Sequence, residues 1–148
     1  MYGIPNMKLD KEIVQRRIDV MSKLGVNFVA NTEIGRDITA DELLEQYDRV
    51  ILATGASVPR DLEVPRRHLS GVGFAVDFLT ETTKNVLASG NKKLGRTLEG
   101  KHVLVIGGGD TGNDCIGTAV RLGAASVKQL EITPEPPEIG RASCRERV

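Results

Sequence analysis

Residues 102–122 read His102-Val103-Leu104-Val105-Ile106, then Gly107-Gly108-Gly109-Asp110-Thr111-Gly112, then Asn113-Asp114-Cys115-Ile116-Gly117-Thr118-Ala119-Val120-Arg121-Leu122. The first block is a short apolar run of the kind that forms a buried strand of a parallel sheet. The second is a glycine turn, and the third reads as a helix. The spacing G-x-G-x-x-G falls on Gly107, Gly109 and Gly112. Gly107 permits the tight turn out of the strand. Gly109 has no Cβ, so a pyrophosphate can come close to the backbone. Gly112 lets the helix sit tightly on the strand. The start of the helix then offers unpaired N–H groups and a positive dipole end to phosphates. Glycine turns after strands are common. The strand before this one and the helix after it supply the context that makes it a dinucleotide motif.

Outward from the turn, residues 126–132 form the next expected strand. Glu131 lies at its end, where an acidic side chain accepts hydrogen bonds from a ribose 2′-OH and repels a 2′-phosphate. Thr133-Pro134-Glu135-Pro136 supplies no basic group for such a phosphate. The plainer alternative is a solvated charge at a strand end. Pro134-Glu135-Pro136-Pro137 reads as extended.

Upstream, residues 10–24 carry Ile13, Val14, Ile18, Met21 and Leu24 on one helical face, with Asp10 as cap and Gly25 as stop. Residues 26–30 alternate and are rich in β-formers, predicting a strand. Thr39-Ala40-Asp41-Glu42 is a capping box that opens a short helix. Residues 49–53, Arg49-Val50-Ile51-Leu52-Ala53, form a compact apolar strand broken at Thr54-Gly55. Pro59 and Pro65 lie in a loop, and residues 75–88 form a helix. Ser89 to Gly100, with Lys92-Lys93, is a polar connector and the expected domain boundary.

Strands alternating with helices imply an α/β fold with a parallel sheet covered on both faces. A doubly wound domain has about five or six strands, and only two follow Gly100. The expectation is a parallel-sheet Rossmann-like dinucleotide-binding fold, incomplete at both ends.

The 148 residues amount to about one domain. Twenty basic and twenty acidic residues balance, which argues against nucleic acid or a membrane surface as partner. No apolar run approaches the roughly 18 residues of a membrane helix. The start, Met1-Tyr2-Gly3-Ile4-Pro5-Asn6, lacks a signal-peptide layout, so the expected location is cytoplasmic. Cys115 and Cys144 are too few and too far apart for a metal or iron–sulfur ligand set. Cys115 reads as a small packed helix residue. His102 reads as an edge or capping residue, and Arg66-Arg67-His68 as a solvated basic loop.

A second chemical signal is Ala53-Thr54-Gly55-Ala56. A strand ending in Thr-Gly lets the backbone approach a ligand at the carboxyl edge of a parallel sheet. An ordinary strand-to-loop turn is the bland alternative.

Val50-Ile51-Leu52-Ala53-Thr54-Gly55-Ala56, followed about fifty residues later by residues 103–112, resembles the flavoprotein reductases with two dinucleotide-binding domains. The resemblance narrows at Tyr2-Gly3-Ile4-Pro5, Lys8-Leu9-Asp10-Lys11, Gly73-Phe74-Ala75-Val76-Asp77-Phe78-Leu79 and Asp110-Thr111-Gly112-Asn113-Asp114-Cys115-Ile116-Gly117-Thr118-Ala119. These are similar to the family of glutamate synthase small (beta) subunits, over about residues 1–139.

The resemblance implies an NAD(P)H-oxidising, FAD-dependent oxidoreductase that passes electrons through iron–sulfur clusters to a glutamate synthase large (alpha) subunit. That partner makes glutamate from glutamine and 2-oxoglutarate. The clusters are expected upstream of this chain or in the partner. Gly107, Gly109, Asp110, Thr111 and Gly112 would hold the NAD(P)H pyrophosphate, and Thr54 and Gly55 would border FAD. No catalytic acid, base or nucleophile is expected, because the flavin carries the redox chemistry.

Residues 1–96 are expected to be part of the FAD-binding domain with its linker, and 97–140 the N-terminal part of the NAD(P)-binding domain. Residues 141–148 depart from the family and read as an artefactual tail. Alternatives are a reductase module serving another iron–sulfur enzyme, such as a pyrimidine reductase, and a non-catalytic nucleotide-binding or interaction module.

Overall fold

The computed structural model describes residues 2–56, 58–90, 97–132 and 134. The expectations for Lys92-Lys93, the extended proline run beyond Pro134 and the tail with Cys144 lie outside the described residues. The elements are α1 (Lys11–Lys23), α2 (Ala40–Gln46), α3 (Ala75–Ala88), β1 (His102–Ile106), α4 (Asp110–Arg121) and β2 (Ser126–Leu130). The chain divides into two compact units, one of Met1–Lys8 and Gly73–Val148, the other of Leu9–Val72.

The first unit is built on a β–α–β crossover. β1 and β2 pair in parallel, with His102 opposite Ser126 and Ile106 opposite Leu130. Parallel strands need a crossover of a dozen or more residues, and α4 supplies it, packing against both strands. Val103 and Val105 alternate toward the covered side. Leu79 of α3, Val105 of β1 and Cys115 of α4 form the core, with Ala75, Phe78, Ile116 and Val127 packed around them. Leu104 and Ile106 stay exposed, so the expected burial of β1 on both faces is corrected to one. A single crossover helix covers one face of a sheet.

The N-terminal residues lie along α3 and α4. A Cβ on Gly3 would touch Val76 Cγ1 at 3.4 Å, and one on Gly117 would meet Met7 Cε at 2.8 Å. Lys8 Nζ lies 3.2 Å from Asp114 Oδ1. The Lys84 ammonium sits 5.8 Å from the centre of the Tyr2 ring.

In the second unit, α1 starts where Asp10 accepts the Glu12 N–H at 3.0 Å. It ends in a Schellman motif: Gly25, at φ +95°, donates to Ser22 O, and Val26 donates to Met21 O. α2 has the expected capping box, Thr39 Oγ1 accepting from Glu42 N and Glu42 Oε2 from Thr39 N. Two expectations fail here. Residues 26–30 and 49–53, read as strands, form no strand and pair in no ladder among the described residues. Ile51 and Leu52 are 88% and 85% exposed. A strand exists only when a neighbour takes its N–H and C=O groups, and local composition does not provide one. In the loop, Arg67 is not freely solvated as expected. It bonds Asp61 at 2.5 Å and the Val72 carbonyl at 3.3 Å.

The architecture is an incomplete α/β Rossmann-like fold. Among the described residues, no helix is long and apolar enough to cross a membrane.

Candidate functional site: the glycine turn between β1 and α4

The strand hands the chain to the turn at Gly107, whose φ of +111° strains any residue with a side chain. Its N–H donates to Leu130 O at 2.8 Å, extending the ladder by one bond. Gly109 is the N-cap of α4 in an extended conformation, with no side chain to cap the helix. A Cβ there meets nothing within 4 Å, so the space is open for a ligand. Asp110 opens the first helical turn, exposed beside Thr111. A carboxylate there is favoured by the helix dipole.

Gly112 is buried for a different reason. A Cβ there would run into the carbonyl oxygen of Gly107 and lie 2.9 Å from Gln129 Nε2. Backbone cannot yield as a flexible side chain does, so close contact of helix and turn requires glycine at this position.

β2 closes the turn from the other side. Gln129 Nε2 donates to Gly107 O at 2.8 Å. Glu131 lies just past the end of β2, which stops at Leu130 rather than at residue 132 as expected. One of its oxygens accepts from Gly108 N–H and the other from Ile132 N–H at 2.7 Å. One N–H of the turn, that of Gly108, thus already donates to an anionic oxygen. Sequence reasoning missed Gln129, since a lone glutamine on a strand has no spacing signal. Its role appears only when the strand lies beside the turn.

The structure therefore brings together Gly107, Gly109, Asp110, Thr111, Gly112 and Glu131. Thr54 and Gly55 belong to the unit of Leu9–Val72. There Gly55 takes φ +67° in an exposed segment without regular secondary structure.

Other titratable groups near α4 are structural. Cys115 is buried, and burial first, then the neighbouring Asp114 carboxylate, pushes its thiol pKa up. It stays protonated and unreactive. His102 Nδ1 lies 2.7 Å from Ser126 Oγ, a bond between strand partners at the sheet edge. Arg121 donates to Gly117 O at 2.8 Å in the last turn of α4.

The arrangement offers open backbone at a helix start, a fixed glycine turn and an acidic side chain at the next strand end. Chemically it can bind a phosphate diester and an adjoining hydroxyl pair, and it holds no nucleophile.

Residues 35–147 match the family model described as pyridine nucleotide-disulphide oxidoreductase. The chain is 53% identical over 137 residues to a "Glutamate synthase [NADH]" of Saccharomyces cerevisiae, covering 93% of this chain and 6% of that protein. It is 56% identical over 137 residues to a "Glutamate synthase [NADPH] small chain" of Bacillus subtilis, covering 92% of this chain and 28% of the relative. With the protein of that same name from Escherichia coli K12, identity is 40% over 128 residues, 85% of this chain and 27% of the relative. The chain spans less than a third of the length of each of these relatives.

Proposed function

The chain belongs to the pyridine nucleotide-disulphide oxidoreductase family, and from that premise we propose that it is a segment of the NAD(P)H-oxidising, FAD-dependent electron-input part of a glutamate synthase. The similarity to glutamate synthases with either nucleotide supports this reading. The observation that carries it is the glycine turn, open at Gly109 and closed by Gly112 against the Gly107 carbonyl.

When bound, the nicotinamide supplies a hydride and the flavin accepts it and passes electrons on. The residues of this chain bind and orient. Gly107, Gly109, Asp110, Thr111 and Gly112 hold the pyrophosphate of NAD(P)H, with α4 directing its positive end there. Glu131 faces the ribose hydroxyls, which favours NADH over NADPH. Thr54 and Gly55 border FAD. Residues 1–96 belong to the FAD-binding domain with its linker, and residues 97–140 to the NAD(P)-binding domain. No residue of this chain moves a proton in hydride transfer. The iron–sulfur clusters lie outside residues 1–148, the partner is the large subunit that makes glutamate, and the assembly is cytoplasmic.

The test is nucleotide oxidation by the full protein as encoded, with NADH and NADPH compared. Gly109→Val puts a branched side chain into the open space. It is expected to lower kcat/KM for the nucleotide by roughly tenfold or more, mainly through KM. An unchanged kcat/KM would remove the turn from the site. A strong preference for NADPH removes the ribose role of Glu131.

A further inference from the structure

We propose that Gln129 is a positioning residue for the dinucleotide site, an inference that rests on the reading of residues 107–112 as that site. β1 ends at Ile106, so the peptide between Gly107 and Gly108 lies outside the strand ladder. It follows a residue at φ +111°, and glycine resists rotation less than any other residue. Something else must fix its plane.

The peptide has two polar groups, the Gly107 carbonyl and the Gly108 N–H, and a trans planar peptide points them in opposite directions. Gln129 takes the first at 2.8 Å and Glu131 the second. Leu130 O takes the Gly107 N–H at 2.8 Å. Three successive residues, the last two of β2 and the one just past it, thus hold the three backbone groups at the start of the turn.

Their roles differ once an anion arrives. The Glu131 carboxylate is an acceptor on an N–H that a phosphate oxygen would use, so it yields to the ligand. Gln129 is a donor to a carbonyl, which no phosphate can use. Its bond persists with or without the nucleotide. The amide is also confined, since a Cβ on Gly112 would lie only 2.9 Å from its Nε2. Without that donor, the half-buried Gly107 carbonyl loses its partner and the peptide regains its freedom. The nucleotide must then order the turn as it binds, at the expense of affinity.

The test measures NADH and NADPH kinetics and NAD+ or NADP+ binding in the full protein. Gln129→Glu keeps the shape but sets an acceptor against the carbonyl. Gln129→Leu removes the polar group. Both are expected to raise KM and Kd for the nucleotide about tenfold at neutral pH, the worth of one such hydrogen bond, with kcat at saturation unchanged. In Gln129→Glu the defect shrinks as pH falls into the carboxylate range, because a protonated carboxyl donates again. Gln129→Leu shows no such recovery. Glu131 and Asp110 are the titratable groups around this turn. Both are present in all three proteins, so Gln129→Leu is the reference against which the pH profile of Gln129→Glu is read.

Unchanged KM in Gln129→Glu, or equal pH profiles for the two variants, overturns the role of Gln129 alone. If Gln129→Glu does not fold, Gln129→Leu decides by its split between KM and kcat. A wild-type protein that binds neither nucleotide overturns the proposed function and this inference with it.

Discussion

Arg66 holds φ +66° in the loop of the Leu9–Val72 unit. A residue with a side chain pays about 1 kcal/mol or more in that left-handed region, whereas glycine enters it freely. Its neighbour Arg67, not Arg66, makes the bonds to Asp61 and Val72 that tie the loop. Arg66→Gly is therefore expected to stabilise the native loop by about 0.5–1 kcal/mol, less the added freedom of the unfolded chain. The two terms nearly offset, so an almost unchanged Tm by thermal denaturation is expected, and a clear fall would show that the Arg66 side chain holds the turn. The same backbone logic was legible at Gly107, where the motif demanded glycine. At residue 66 nothing local announced a positive φ, because surrounding contacts impose it on an arginine.

α2 shows how a short element stands on its ends. It has seven residues and none is buried, so packing contributes little and the capping box matters most. The Glu42 carboxyl is held below its ordinary range, first by the Thr39 backbone N–H and then by the Thr39 hydroxyl. A depressed carboxyl stabilises the fold above its unfolded pKa and loses that contribution as pH falls through its folded one. Backbone chemical shifts of residues 40–46 are expected to report fraying as pH falls below the ordinary glutamate range. In Thr39→Ala the midpoint moves part of the way up toward the ordinary value, because only the hydroxyl is lost. An unmoved midpoint would show that the backbone N–H alone sets the shift. The four helices among the described residues were readable from local signals, α1 and α2 from their caps, α3 from its apolar residues and α4 from its place after the glycine turn. Residues 26–30 and 49–53 were not, although their composition favours strands. Ladder partners lie far away in sequence, and among the described residues none reaches them.

At the scale of the molecule, residues 2–8 are held on α3 and α4 by the Lys8–Asp114 ion pair and a row of close contacts. Asp114 is 9% exposed, and Lys8 supplies the cation at 3.2 Å. Lys8→Met leaves that carboxylate without its partner. Lys8 is half exposed, so solvent screens part of the effect, and the expected destabilisation is about 1–3 kcal/mol. Asp114→Asn added to Lys8→Met recovers part of it, because the uncompensated charge is gone. A double-mutant cycle by denaturant titration measures this, and strictly additive losses would dissolve the pairing. Lys8 and Asp114 stood in separate quoted motifs, and nothing in their spacing linked them. By itself the sequence determined the α/β class, the helices, the order strand–glycine turn–helix and the acidic residue at the next strand end. Each of these is written in local periodicity, capping or glycine geometry. Only the tertiary structure decided which runs found strand partners, that Gln129 and Glu131 grip opposite ends of one peptide, and that the N-terminus lies on α4. Those outcomes depend on groups dozens of residues apart meeting in space, and no local pattern encodes that encounter.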